Sequence, residues 1–325
     1  MIDRRKFICA LICGLVATRR AAFAQTKLYR IGFLSLTAFG DMTLAGVLLP
    51  ELRTRGYVVG RNIAFEERLA DGKADRLPAL AAELVRLNVD VIVAGPAIAI
   101  RAAHDATTTI PIVMAFSADD PVKSGFVASL AHPGGNVTGV TALARDLAPK
   151  WMELLRDAVP GMTRLAVMTN PARPEHAEYV RVMAAARPTG VQLQSFEAQG
   201  PDQYESTFAA MVKARAEGVV ILGDVMFTRD SSQLAALALS HRLPSIYLFR
   251  AFALAGGLMT YGPDEDELLS LACEFIDKVL QGASPGELPV QQPTTFNLAI
   301  NMKTANALHL AIPQSVRLRA QELIK

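Results

Sequence analysis

Short clusters of hydroxyl, amide, glycine and aromatic residues recur along this chain, each directly after an apolar run. The first half contributes Ser35-Leu36-Thr37, Gly95-Pro96-Ala97, Phe116-Ser117-Ala118-Asp119-Asp120-Pro121 and Thr141. The second contributes Asn170-Pro171, Asp224-Val225-Met226-Phe227, Phe249-Arg250 and Tyr261-Gly262. Hydroxyls, amides and open backbone N–H groups beside aromatic rings can orient a small amphipathic molecule in a mostly apolar slot.

The same residues lack the inventory of a catalyst. No G-x-G-x-x-G follows an apolar run, no G-x-x-x-x-G-K-[ST] occurs, and no serine-hydrolase elbow is expected. His104, His132, His176, His241 and His309 show no pair at metal-ligand spacing, and there is no cysteine cluster, so neither a metal nor another cofactor is expected. The pair Asp119-Asp120 could work as acid and base, but Asp120-Pro121 after a buried strand reads as turn and helix-start chemistry. Gly134-Gly135-Asn136 precedes a strand where a phosphate loop would open a helix, which favours a tight turn.

The elements that position these clusters follow from the rhythm of the chain. Tyr29–Leu34, Ile63–Arg68, Val89–Ala94, Ile112–Phe116 and Val137–Thr141 read as strands. A second series has Leu165–Thr169, Val191–Phe196, Val219–Gly223, Ser245–Phe249 and Gly257–Tyr261, and Phe296–Asn301 reads as one more. Between them lie amphipathic helices. In one, Leu77, Leu80, Ala81, Leu84 and Leu87 share a face, with Asp75 placed to cap it and Pro78 tolerated in the first turn. Parallel strands need long crossovers, so repeated βα units build an α/β fold of two doubly wound parallel-sheet lobes. In such sheets ligands sit beyond the carboxyl ends of the strands, which is where the clusters fall.

Arg4, Arg5 and Lys6 precede an apolar run from Phe7 to Ala17, and Ala22-Phe23-Ala24 supplies small residues for cleavage. Residues 1–24 therefore read as a signal peptide, and its twin arginines suit the twin-arginine export route to the periplasm. An N-terminal core helix or a lipid anchor at Cys13 are the alternatives. Removing that segment takes five basic residues and one acidic one, which turns a formal charge of +2 into −2. A nearly neutral chain offers no basic face for nucleic acid. Cys273 is then left without a disulfide partner, among apolar neighbours that suggest a core thiol.

Asp120-Pro121-Val122 and Leu130-Ala131-His132-Pro133-Gly134-Gly135-Asn136-Val137-Thr138-Gly139-Val140 resemble the signature of the ABC-transporter substrate-binding family that includes tryptophan- and tyrosine-binding members. Similar strings are Arg30–Leu34, Gly56–Ile63, Gly256–Pro263, Leu288–Pro293 and Asn301–Ala305, so the likeness covers nearly the whole chain after the leader. The resemblance implies a type I periplasmic-binding-protein fold with three crossover segments. One lobe would hold 27–142 plus 257–285, the other 143–256 plus 286–325. It also implies a non-enzymatic, monomeric protein that hands a small molecule to ABC permease subunits in the inner membrane.

Family members hold the ligand's polar head with hydroxyls and backbone amides at strand ends. Here that carries to Ser35, Thr37, Gly95, Pro96, Ala97, Phe116 and Ser117 from one lobe, and Asn170 and Asp224 from the other. Thr141, Met226, Phe249, Arg250 and Tyr261 complete the expected site. The chain departs from the amino-acid-binding members by having Val225-Met226-Phe227, where Asn tends to follow the Asp, which leaves α-amino recognition open. The planar fork of Arg250 could instead meet a carboxylate. A sensor feeding a membrane receptor and an exported enzyme are the rival readings.

Overall fold

A computed structural model describes residues 27–38, 44–186 and 190–325. The expected leader with Cys9 and Cys13 lies outside the described residues, as does the side chain of Phe116.

Five parallel strands form the first sheet: Tyr29–Ser35 (β1), Ile63–Leu69 (β2), Val91–Gly95 (β3), Ile112–Ser117 (β4) and Val137–Thr141 (β5), in the order β2-β1-β3-β4-β5. β3 and β5 are buried along their whole length, as strands covered by helices on both faces must be. Helices Leu77–Arg86 and Ala97–Ala106 cover one face, where Leu84, Ile100 and Ala103 meet Ile92 and Met114. Pro78 sits in the first turn of its helix as expected. Asp75 does not cap that helix; it lies in a preceding 3-10 turn, and Arg76 holds the cap position without a side-chain bond.

The second sheet has seven strands: Arg164–Thr169 (β6), Gln192–Glu197 (β7), Gly218–Ile221 (β8), Ser245–Tyr247 (β9), Met259–Pro263 (β10), Phe296–Asn301 (β11) and Glu322–Ile324 (β12). Their order is β12-β11-β10-β9-β8-β6-β7, parallel except where β10 meets β11. Two parallel-dominated sheets, each flanked by helices, are the expected α/β fold class.

The connections between the sheets revise the expected lobe boundaries. The expected first-lobe segment 257–285 opens with β10, which pairs with β9 and β11 inside the second sheet. Only the helix Glu265–Leu280 returns, burying Ala272, Phe275 and Ile276 against Val91, Val93 and Val113. Conversely, 286–291, expected in the second lobe, run along β5: Gly134 N donates to Gly286 O, Gln291 N to Gly139 O and Thr141 N to Gln291 O. The chain thus crosses after β5, at Pro263-Asp264, and between Gln291 and Phe296. The last two crossings are bound side by side, because Glu267 accepts from Thr294 and Thr295 while Asp264 accepts from Asn297 Nδ2 at 2.6 Å.

Cys273 is wholly buried on that returning helix, its thiol 3.6 Å from the Leu48 carbonyl oxygen. Burial pushes its pKa up to about 12, with Glu51 adding to the shift and Arg55 opposing it. In a Cys9→Ser, Cys13→Ser background, an aromatic disulfide reagent at about pH 8 should leave the native protein unmodified and titrate one thiol in denaturant, since the thiolate is the reactive form. Stoichiometric labelling of the folded protein would refute this placement.

Candidate functional site

Loops beyond the carboxyl ends of parallel strands in the two sheets meet. Arg173, in the loop after β6, reaches Asp119, in the loop after β4, and its Nη2 lies 2.9 Å from each carboxylate oxygen. Lys123 and Glu178 approach to 3.5 Å on the same side. Gly72 of the first lobe also approaches Arg229 of the second, since a Cβ there would lie 3.7 Å from Arg229 Nη1. Ala118, Phe249 and Tyr261 each pack against the second lobe's core.

The first-lobe residues occupy the strand ends. Ser35 is buried and its hydroxyl donates to the Thr37 carbonyl at 2.7 Å, which folds the half-buried Thr37 over β1. Gly95-Pro96 is a cis peptide that leads directly into the helix starting at Ala97, whose cap position, Pro96, offers no side-chain acceptor. Ser117 is 5% exposed and its Oγ has no hydrogen-bond partner. Thr141 is fully buried and donates to the Asp119 carbonyl at 2.7 Å, so it shapes the first crossover and offers no donor to a ligand.

In the second lobe Asn170 Nδ2 donates to Asp224 Oδ2 at 3.0 Å, while Asp224 Oδ1 accepts from Met226 N at 2.7 Å and caps the helix Val225–Arg229. His176 joins the strand ends beneath them: Nδ1 accepts from Asn170 N at 2.9 Å, and Nε2 lies 3.2 Å from the Gly223 carbonyl. Met226 is half-buried against the core that holds Phe227 and Tyr204. Phe249 bridges the two core clusters of its lobe, and Tyr261 stacks on Phe296 at 6.1 Å and 27°.

Arg250 does not serve as expected. It is exposed, and Nε and Nη2 form a fork on Glu322 of β12 at 2.6 and 2.7 Å. A carboxylate would first have to displace a bidentate partner. Asp119 and Asp120 likewise do not act as a pair: Asp120 Oδ1 accepts from Val122 N at 3.0 Å in a turn, while Asp119 faces Arg173. Gly282-Ala283-Ser284-Pro285-Gly286 does spell a serine-elbow string, but Ser284 is exposed after a helix, with no strand leading into it. Among the described residues no group of three or more His, Cys, Asp or Glu could hold a metal.

A model of the ABC transporter substrate binding protein family matches residues 41–324. The chain belongs to that family. Such substrate-binding proteins are not enzymes; they work outside the cytoplasm with ABC permease components. A relative, the tyrosine-binding protein of Clostridioides difficile strain R20291, is 26% identical over 261 residues, 80% of this chain and 74% of that protein. Among solved structures, a conserved domain protein from Vibrio cholerae superposes with a TM-score of 0.84 at 24% identity, covering 91% of this chain and 100% of that one. An ABC domain from Streptococcus pneumoniae in complex with L-Trp gives 0.83 at 24% identity, covering 92% and 100%. Among the described residues of this substrate-binding protein, no helix is long and apolar enough to cross a membrane.

Sequence reasoning missed Arg173 and His176. Both follow the Asn170-Pro171 turn, so a cation and an imidazole in a strand-end loop were the available signal. Burial costs Asp119 more than Arg173 returns, so its pKa is raised. Burial alone would lower Arg173, but the carboxylates of Asp119, Glu175 and Asp224 more than restore its charge.

Proposed function

We propose that this protein is the extracytoplasmic solute-binding component of an ABC importer, and that it captures a small aromatic or carboxylate-bearing metabolite by closing its two lobes. The supporting observation is the Asp119–Arg173 pair, which ties together loops beyond the strand ends of the two lobes; in this reading Ser35, Ser117, Asn170 and Tyr261 line the cleft between them. A ligand touching both rims stabilises the closed form by its differential affinity, and the permease reads closure. The C. difficile relative is named for tyrosine and the S. pneumoniae neighbour holds L-Trp, which points to an aromatic ring in the slot. Asp224 is already engaged by Asn170 and two backbone N–H groups, and Arg250 by Glu322, so the ligand's polar head falls to Ser117 and the strand-end amides.

Thermal-shift measurements on the purified protein with L-tyrosine, L-tryptophan, aromatic acids, aliphatic acids and sugars test this. A ligand at a hundredfold excess over Kd adds about 2.7 kcal/mol, an upward shift of several degrees. The aromatic compounds should give the largest rise. A protein that responds only to sugars, or a chromogenic turnover in a hydrolase panel, would sink the proposal.

A further inference from the structure

We propose that His176 is a positioning residue for ligand capture: its neutral imidazole splints the ends of β6 and β8, and protonation loosens the second lobe's half of the cleft. The inference rests on the cleft being the ligand site. Its geometry fixes one tautomer. The Asn170 backbone N–H can only donate, so Nδ1 must be a bare acceptor; the Gly223 carbonyl can only accept, so Nε2 must carry the hydrogen. Asn170 and Gly223 immediately precede or form the two rim positions, since Asn170 Nδ2 holds Asp224 Oδ2 and Asp224 follows Gly223. The ring is 2% exposed, so water cannot replace either bond.

A second proton would have to go on Nδ1, where it would face the Asn170 N–H donor head-on. Either the ring turns out or Asn170 moves, and Asn170 carries Asp224 with it. The charged and titratable groups around the ring come from several elements. Arg173, Glu175 and Tyr179 flank it on its own segment, Tyr179 edge-on at 6.0 Å and 74°. Asp224 faces it from the end of β8, and Asp119 acts from the first lobe through Arg173. Trp151, stacked on Tyr179, brings no charge. Burial, with Arg173 in support, holds the imidazole below its ordinary range against the opposing pull of the Gly223 carbonyl, Asp224 and Glu175. The neutral ring is therefore the resting state at neutral pH, and the charged ring is reached only on acidification.

The test follows L-tyrosine affinity by calorimetry and backbone amide shifts by NMR between about pH 7.5 and 4.5, in wild type and His176→Gln. If capture needs the neutral ring, affinity falls by up to about tenfold per pH unit below the ring's ionisation. His176→Gln keeps an amide donor and acceptor but cannot titrate there, so its affinity should change less than wild type's. Any slope contributed by Asp119 is common to both proteins. In wild type, the Asn170 and Asp224 amides should shift with the midpoint of the His176 ring. Equal pH dependence in both proteins, or rim amides that stay still while the ring titrates, overturns the proposal. If L-tyrosine binds neither protein at any pH, the ligand reading fails by itself, and the amide shifts alone decide the splint.

Discussion

Arg173→Ala is expected to weaken ligand capture by about thirtyfold while barely moving the unfolding transition, the equivalent of about 2 kcal/mol at the lower end for a truncated buried charge pair. Asp119 is 7% exposed, and without its partner it would hold an uncompensated carboxylate in the closed cleft. The lower figure applies because Arg173 itself is about a quarter exposed, at 24% of its side chain. Fold stability is spared because the partners belong to different sheets: opening the lobes lets water reach Asp119 without disturbing either core. The cost therefore lands on the closed–open equilibrium, which sets apparent affinity.

Calorimetry and small-angle scattering separate the two outcomes. The variant should show a larger radius of gyration and weaker binding at an unchanged melting temperature. The double variant Asp119→Ala, Arg173→Ala should recover part of the loss, because removing both charges also removes the buried orphan. Wild-type affinity in Arg173→Ala would exclude the pair as a latch. Acidification acts through the same pair. With its pKa raised by burial, Asp119 takes a proton in the native state before it would in the unfolded chain. Lowering the pH through that window relieves the fold while cutting the bridge.

How much of this was legible in the sequence depended on how local each determinant is. Buried parallel strands read as short apolar runs, and β5 and β11 were bounded correctly from end to end. β12 was not, because three residues of alternating half-burial carry no signal of their own and take their place by pairing with β11 and through the Arg250 fork on Glu322. The placement of β10 failed for a related reason. Gly257–Tyr261 reads as a strand, but its choice of sheet rests on pairing Met259 with Ile246 on one side and with the distant Ile300 on the other.

The site divided in the same way. Ser35, Ser117, Asn170 and Asp224 could be placed at or just beyond strand ends because that position is a local property. Arg250 misled because a fork that fits a carboxylate fits Glu322 as well, and that residue lies 72 positions away. Arg173 and Asp119, 54 positions apart, are joined only when the lobes face each other. His176 has the opposite history. Its partners Asn170 and Gly223 lie just beyond two neighbouring strands, β6 and β8, which spacing along one chain does not disclose.

Trp151→Ala should have the largest effect on stability, about 3–5 kcal/mol for deleting a core tryptophan. That corresponds to a fall in melting temperature on the order of 10 °C for a chain of this size. The ring is fully buried, lies flat against Tyr179 at 6.2 Å and 7°, and donates through Nε1 to the Tyr261 carbonyl at 2.7 Å. Trp151 sits on the helix Ala148–Ala158 just after the first crossover, and Tyr261 lies two residues before the second, so one side chain fastens the two connections about which the lobes must turn. Truncation should therefore loosen the hinge as well as empty the core. Trp151→Phe keeps most of the ring contact and loses the hydrogen bond, which limits its cost to about 1–3 kcal/mol for a buried carbonyl left without its donor. Circular dichroism should follow both variants, because Trp151 is the only tryptophan in the chain and its own fluorescence is lost with it. Equal losses in Phe and Ala variants would mean that the Tyr261 bond, and not ring volume, carries the anchor; no loss in either would show that the core closes over the gap.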